Sequence, residues 1–420
     1  MTTLRTLLSN PDLRRRVLLT MGLLVVFRVL AHVPMPGVDL AALREFFTRN
    51  ELFGLLNLFT GGSMENFSLV LMGVGPYITA SIIFQLLVII VPRLEELQKE
   101  GEAGRQQINQ YTRLLTVPLA VLQGYSTLLL LRNQGVVDLA GGFDLIAILL
   151  TITAGTMLVM WFGELISEYG LGNGVSLLIA LGIMTGIPTS LSQTYATIDQ
   201  TGYLSVLIFG VLALFATVAI VFVNEAERQI PIIYARRVRG LTRQGGVSTN
   251  LPLKVAMAGV IPIIFALSLM LFPPVVARFL QTMDIDWVRT AAEKTIDLFG
   301  NDTFYGITYF IFVIAFTYFY TFVVFQPEQV AENIQKQGGF VPGVRPGRET
   351  ANYLGAVLSR LTLFGALFLG LLAVLPFIVQ AITNVQTLVL GGTSTLIIVS
   401  VVLDTMRQIR AHLQTRRYEF

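Results

Sequence analysis

The chain has 420 residues, of which 54% are hydrophobic and only 13% charged, with a formal net charge of +3. A soluble domain carries about a quarter charged residues, so this composition excludes an ordinary water-facing surface and places most of the chain in a membrane. Cysteine is absent and histidine occurs only at His32 and His412, which removes disulfides, thiol nucleophiles and any metal constellation; no cofactor is implied.

In chain order, the apolar runs predict ten spans, near 17–33, 72–91, 114–132, 145–164, 174–190, 204–223, 255–274, 305–325, 361–379 and 386–403. The first run is long and no small-residue cleavage site follows it, so it reads as a span and not as a signal peptide. Lysine and arginine set the orientation. With the N-terminus inside, internal segments hold 22 of these residues and external loops 6, so both termini are expected in the cytoplasm. The internal loop near Glu164–Asn173 has no basic residue and adds nothing to the bias. Ten spans with both ends inside divide into five and five, near 1–200 and 201–420. An odd number per half makes the halves insert upside down relative to each other, and such repeats place a functional path at their interface. The halves show no visible sequence similarity, so the repeat rests on the span count.

Between the first two spans lies NLFTGGSMENF, Asn57–Phe67, which is too polar and too broken to cross a bilayer. On residues alone it is a short helix bent at Gly61 and Gly62, and one place for it is flat on the outer membrane surface.

Four later spans open on small or helix-weakening residues and then turn aliphatic. Ile78 and Ile82 follow Gly73, Gly75 and Pro76; Val175 and Ile179 follow Gly172, Asn173 and Gly174. Val260 and Ile264 flank Pro262 just after Gly259, and Leu396 and Ile397 follow Gly391 and Gly392. In three of the four, aliphatics four residues apart share one helix face. Any membrane helix is rich in such residues, so the spacing alone assigns no pore. It permits a hydrophobic constriction that gates by excluding water.

Ionisable groups are scarce within the spans: Arg28 lies inside the first, while Glu164 and Arg360 sit at span ends. Coupled transporters ordinarily carry a buried carboxylate, which weakens a small-solute secondary transporter built on five-plus-five repeats without removing it. There is no phosphate loop, no Gly-Lys pair and no HExxH motif. The chain is therefore not expected to be an enzyme, and any ATP-driven work belongs to another protein.

Two cytoplasmic loops, near 224–254 and 326–352, are long. The first carries Arg228, Arg236, Arg237, Arg239 and Arg243 around an alternating apolar stretch, with Gly245-Gly246 as a turn signal, and predicts a hairpin. The second holds Arg345 and Arg348 among glycines and prolines. Basic tips of this kind suit phosphate contacts or a docking partner; positive-inside topology with lipid headgroup binding accounts for them equally.

SLVLMGVGPYITASIIFQLL (Ser68–Leu87) and WFGELISEYGLGNGVSLL (Trp161–Leu178) resemble the two signature stretches of the SecY family, protein-conducting channels of the bacterial Sec translocon. STNLPLKVAMAGVIPIIFA, FVPGVRPGRET and GGTSTLIIVSVVLD are similar to the family's seventh helix, second large cytoplasmic loop and tenth helix. The resemblance runs over essentially the whole chain. It implies an all-α multi-pass protein of the bacterial cytoplasmic (inner) membrane. Ten transmembrane helices form two inverted five-helix halves, a clamshell around a central pore.

By motif, the resemblance places the pore ring on Ile78, Ile82, Ile179, Val260, Ile264 and Ile397, with Val175 on the same face. Residues near 54–67 become a plug folded beneath the ring, with Leu55, Leu58, Phe59 and Met64 packing against it and Gly61-Gly62 as hinge. A seam between helices 2–3 and 7–8 opens sideways, so that the channel passes unfolded secretory preproteins and releases membrane segments to lipid. The implied partners are the SecE and SecG subunits, the SecA ATPase or a translating ribosome at Arg236, Arg237, Arg239, Arg243, Arg345 and Arg348, signal sequences, unfolded preproteins and membrane lipids.

Overall fold

The computed structural model describes residues 11–36, 38, 43, 60, 62–64, 66–133, 135–136, 142–196, 203–234, 248–281, 285–383 and 392–415, which are mostly α-helical. Leu55, Leu58, Phe59 and Gly61 of the expected plug, and Arg236, Arg237, Arg239 and Arg243 of the first basic loop, lie outside them.

The N-terminal part comprises α1 (Pro11–Leu30), α2 (Gly75–Ile90), α3 (Pro92–Lys99), α4 (Glu102–Asn133), α5 (Gly142–Tyr169) and α6 (Gly174–Ala196). The C-terminal part follows with α7 (Tyr203–Glu225), β1 (Glu227–Tyr234), β2 (Ser248–Lys254), α8 (Ile261–Leu280), α9 (Asp286–Phe299) and α10 (Asp302–Val324). It ends with α11 (Pro327–Lys336), β3 (Gly339–Phe340), α12 (Arg348–Thr383) and α13 (Gly392–Thr415).

Each expected apolar run falls on a helix, but length and hydropathy qualify fewer of them as spans. Among the described residues four segments are long and apolar enough to cross a membrane: Glu102–Arg132, Gly142–Tyr169, Thr303–Lys336 and Arg348–Ile378. The pair α2 and α3, bent by 100°, makes a fifth, and α6, α7 and α8 carry the apolar stretches Gly174–Pro188, Gly210–Glu225 and Ile261–Pro274. The bend has a local cause. Val91 is extended (φ −102°, ψ 109°) because the ring of Pro92 disfavours a helical conformation in the residue before it. Several helices outrun their hydropathy signal: α4 begins at Glu102 and not at 114, and α12 at Arg348 and not at 361. Those extra turns are polar, so a hydropathy window cannot see them.

The two parts meet along two seams. On one side α8 packs against α2 and α4; on the other, α13 packs against α6. Elsewhere the packing is largely internal to each part: α4 on α2 and α5, α5 on α6, α8 on α10, and α10 along α12. At the second seam Arg407 of α13 donates to Glu225 Oε1 (2.9 Å) and the Asn224 carbonyl (3.0 Å), binding α13 to α7. Gln408 Oε1 accepts from the Gly172 N–H at 2.8 Å, binding it to the α5–α6 turn.

The expected hairpin is present as an antiparallel pair, running from Glu227↔Lys254 to Ile233↔Ser248. A third strand from the second basic loop joins it, Ile233↔Phe340 and Tyr234↔Gly339, giving the order β2-β1-β3. Ile230, Ile232 and Leu253 of the hairpin share one core with Ile334 of α11, Val341, and Leu354 and Leu358 of α12. The described strands of the first basic loop and the second basic loop therefore form one body seated on α12, where the sequence suggested two separate loops.

Candidate pore ring and vestibule

Four helices from both halves converge on one hydrophobic cluster. Ile78 and Ile82 (α2), Ile179 (α6), Ile264 (α8) and Ile397 (α13) are buried in it, and Val175 and Val260 are partly buried against it. All seven predicted ring residues are thus brought together. Leu396 is not among them: it packs in a separate cluster with Tyr309, Val313 and Leu372. Neighbouring positions on a helix point about 100° apart, so Ile397 and Leu396 cannot face the same centre.

Local chemistry sets the α6 residues. The Asn173 side chain accepts from the Ser176 N–H at 3.2 Å, capping the helix. The Gly174 N–H donates to Ser167 Oγ (2.9 Å), which donates to the Gly163 carbonyl (2.8 Å). A Cβ on Gly174 would collide with that same carbonyl oxygen, so only glycine allows α5 and α6 to cross this closely. The crossing delivers Val175 and Ile179 to the cluster one turn apart. On α8, the Val260 carbonyl accepts from the Ile263 and Ile264 N–H groups, at 3.0 and 3.3 Å. Val260 thereby joins the helix start four residues before Ile264.

Burying an isoleucine side chain is worth about 1.5–3 kcal/mol relative to leaving it in water. Wetting the five buried isoleucines together would cost on the order of 10 kcal/mol, an upper bound because each would be only partly exposed. A closed cluster of this kind excludes water.

Above the cluster lies a cavity of about 800 Å³. Its floor includes Ile78, Val175, Ile179 and Ile264, and its walls carry Gln85, Gln106, Asn109, Gln110, Ser167 and Asn173. Arg113 of α4 and Glu164 of α5 pair across the wall at 2.7 Å. Arg113 is half exposed, which limits the pair to about 1 kcal/mol or less. The wall offers partners to an unfolded backbone; the floor offers none. The sequence reading missed this wall because half of it stands on the polar first turns of α4.

Of the expected plug, Gly62 and Met64 are described. The segment that holds them is tied to the stretch just after α1. Asn66 Nδ2 donates to the Ala31 and Gly62 carbonyls (3.5 and 3.4 Å), and Pro34 bridges Ser68. The Met35 N–H donates to the Phe67 carbonyl at 2.9 Å. Arg28 reaches this segment, with a guanidinium nitrogen 3.6 Å from where a Gly62 Cβ would stand. Met64 does not pack in the ring cluster. It is buried with Met35, Phe67, Leu71 and Leu128, because the strand-like bridge to Pro34 draws residues 63–68 toward α4 and α5. Thr60 and Ser63 are buried, and Ser63 Oγ donates to the Thr60 carbonyl.

Arg345 and Arg348 are exposed on the body that carries the sheet. The loop between them is held by Thr350 Oγ1 donating to the Arg345 carbonyl at 2.8 Å, which leaves both guanidinium groups outward.

The SecY family model matches residues 68–406. The chain is 43% identical to the protein translocase subunit SecY of Streptomyces galbus, over 98% of this chain and 97% of that one. It is equally similar, with the same coverage, to the corresponding protein of Mycobacterium leprae. Among solved structures it resembles a protein conducting channel (TM-score 0.64, 18% identity, 95% of this chain and 92% of the other). It also resembles Sec61 in the canine ribosome-channel complex from the endoplasmic reticulum (TM-score 0.61, 17% identity, 95% and 92%). At these identities the structural likeness speaks for the fold.

Proposed function

The chain belongs to the SecY family and is a protein translocase subunit; from that premise we propose that polypeptides cross the membrane between its two halves, through the seven-residue ring. One observation carries this reading: residues from α2, α6, α8 and α13 form a single aliphatic cluster at the floor of a polar cavity. Aliphatic side chains make no hydrogen bonds, so the ring cannot grip a passing chain of any sequence. Their rotamer freedom lets them close around different residues and limit ion leakage.

Residues 1–200 and 201–420 act as the two leaves of a clamshell, each contributing five of ten transmembrane helices, and both termini face the cytoplasm. The seam of α2 and α4 with α8 is the lateral exit. An apolar signal-sequence core of about 7–15 residues inserts there and favours the open state by its differential affinity. Membrane segments leave to lipid by the same route. Residues 54–67 act as the plug; the tie of residues 62–68 to the stretch just after α1 is its anchored end.

The channel is passive, in the bacterial inner membrane, and hydrolysis belongs to a partner. Arg345 and Arg348 with Arg236, Arg237, Arg239 and Arg243 form a basic face for the SecA motor or a translating ribosome. The likeness to a Sec61 seen on the ribosome supports the second of these. SecE and SecG complete the complex. A small-solute transporter is not favoured, since the expected spans carry ionisable groups only at Arg28 and near their ends and the basic loops are large.

The absence of cysteine makes the test direct. Ile82→Cys is reconstituted with its partner subunits and motor, and a secretory chain carrying one cysteine is stalled in transit. Disulfide formation that requires ATP and a signal sequence is expected. If an active preparation crosslinks only at lipid-facing or loop control cysteines, the ring is not the path.

A further inference from the structure

The helix α9 between α8 and α10 has three chemically distinct faces. At 100° per residue, Val288, Ala292 and Phe299 share one side, and the first two are buried. Asp286, Arg289, Glu293 and Asp297 share a second, on which Arg289 and Glu293 pair at 3.3 Å with both side chains well exposed. Trp287, Ala291, Lys294 and Leu298 share the third, spaced 4, 3 and 4 residues apart. The faces lie about 120° from one another. The third is apolar apart from Lys294, yet Trp287 is 75% and Leu298 51% exposed.

Short connections confine this helix. Only Gly300 and Asn301 separate it from α10, whose start Asn301 caps by accepting from the Thr303 and Phe304 N–H groups (3.0 and 3.3 Å). Phe299 and Phe304 close the corner edge to face, with ring centroids 5.6 Å apart, and α9 packs along α8. A helix so tied to the ends of two membrane helices stays at the membrane surface. One of its two exposed faces then meets water and the other lipid. The charged face suits water. The third face pairs a tryptophan, a residue that favours the headgroup level, with a lysine long enough to reach back to phosphates.

We propose that α9 is an interfacial anchor whose Trp287–Leu298 stripe lies in the headgroup region of the leaflet opposite the cytoplasm, holding the outer end of the seam helix α8 to the bilayer. The occupant of that face is lipid. This rests on the reading of α8 and α10 as membrane-crossing helices.

Trp161 and Trp287 are the only tryptophans in the chain, so Trp161→Phe leaves Trp287 as its sole reporter. The variant is reconstituted with its partner subunits, their tryptophans replaced by phenylalanine, in phosphatidylcholine vesicles brominated either near the headgroup or near the chain ends. The expected result is about a twofold loss of emission with shallow bromines, a smaller loss with deep ones and little quenching by aqueous iodide. Quenching by iodide and not by bromines would place the stripe in water. Quenching by neither would place it under a protein subunit. Either result overturns the proposal while leaving the crosslink at Ile82 unaffected, so the two readings fail separately. Should Trp161→Phe not assemble, spin labels at Trp287→Cys and Glu293→Cys in the cysteine-free chain give an independent measurement. Oxygen should broaden the first and an aqueous nickel chelate the second; the reverse pattern, or equal access, refutes the anchor.

Discussion

Ile82 shows what a single ring side chain contributes. It is buried among aliphatic groups from three other helices, where an amide finds no partner. Ile82→Asn should destabilise the closed state by about 1–3 kcal/mol, which multiplies the open population by about 5–150. Resting ion conductance of reconstituted vesicles should rise, and chains with defective signal sequences should be admitted. Unchanged conductance and unchanged stringency would count against the ring. Gly155 makes a second point at this scale. A Cβ there would collide with the Leu69 carbonyl and come within 3.3 Å of Val70 Cα, both backbone atoms that cannot swing aside. Gly155→Ala should therefore lower stability by about 1–3 kcal/mol. A Cβ on Gly210 would meet nothing within 4 Å. Gly210→Ala should be neutral or stabilising by up to about 1 kcal/mol. Thermal unfolding of the two variants in detergent checks the contrast.

Among the elements, the proposed mechanism turns on the seam. The helices α2 and α8 touch across it, and Ser81 and Ile261 stand on the two sides of the vestibule wall. Bridging Ser81→Cys to Ile261→Cys with a short rigid linker should stop translocation. A flexible linker longer than a helix diameter, about 10 Å, should permit it. Equal transport with both linkers would mean that the seam need not part. The Pro92 bend also belongs to this scale: it ends α2 at the vestibule rim and turns α3 back against α4, so the wall and the ring share one helix.

For the whole molecule, orientation follows from charge and is open to direct measurement. Ser248, on the sheet, and Arg289, on α9, are both exposed and belong on opposite sides of the membrane. In right-side-out vesicles an impermeant maleimide should label Arg289→Cys at once and Ser248→Cys only after permeabilisation. Labelling of both, or of Ser248→Cys alone, would reject the ten-span topology.

The aliphatics of the candidate ring came only with the family resemblance, whereas the placement of apolar runs, the inside bias of arginine and the strands of the hairpin were legible in the residues themselves. Each of the latter is a local property, such as hydropathy over about 20 residues or alternation along a short run. Span counting was less secure, since α1 carries Arg14–Arg16 in its first turns, which lower a hydropathy window. Other features depend on where distant segments meet. The choice of Ile397 over Leu396 for the ring depends on how α13 is rotated against α6 and α12. Met64 lies away from the ring in a segment whose Ser68 pairs with Pro34, some thirty positions earlier. The union of the hairpin and the second basic loop into one body needs β1 to accept β3 from beyond four helices. Composition and periodicity determined that this chain is a bundle of membrane helices and permitted an aliphatic constriction. Only tertiary packing decided which face of each helix closes it, because backbone pairing and close approach at glycine are set by neighbours remote in the chain.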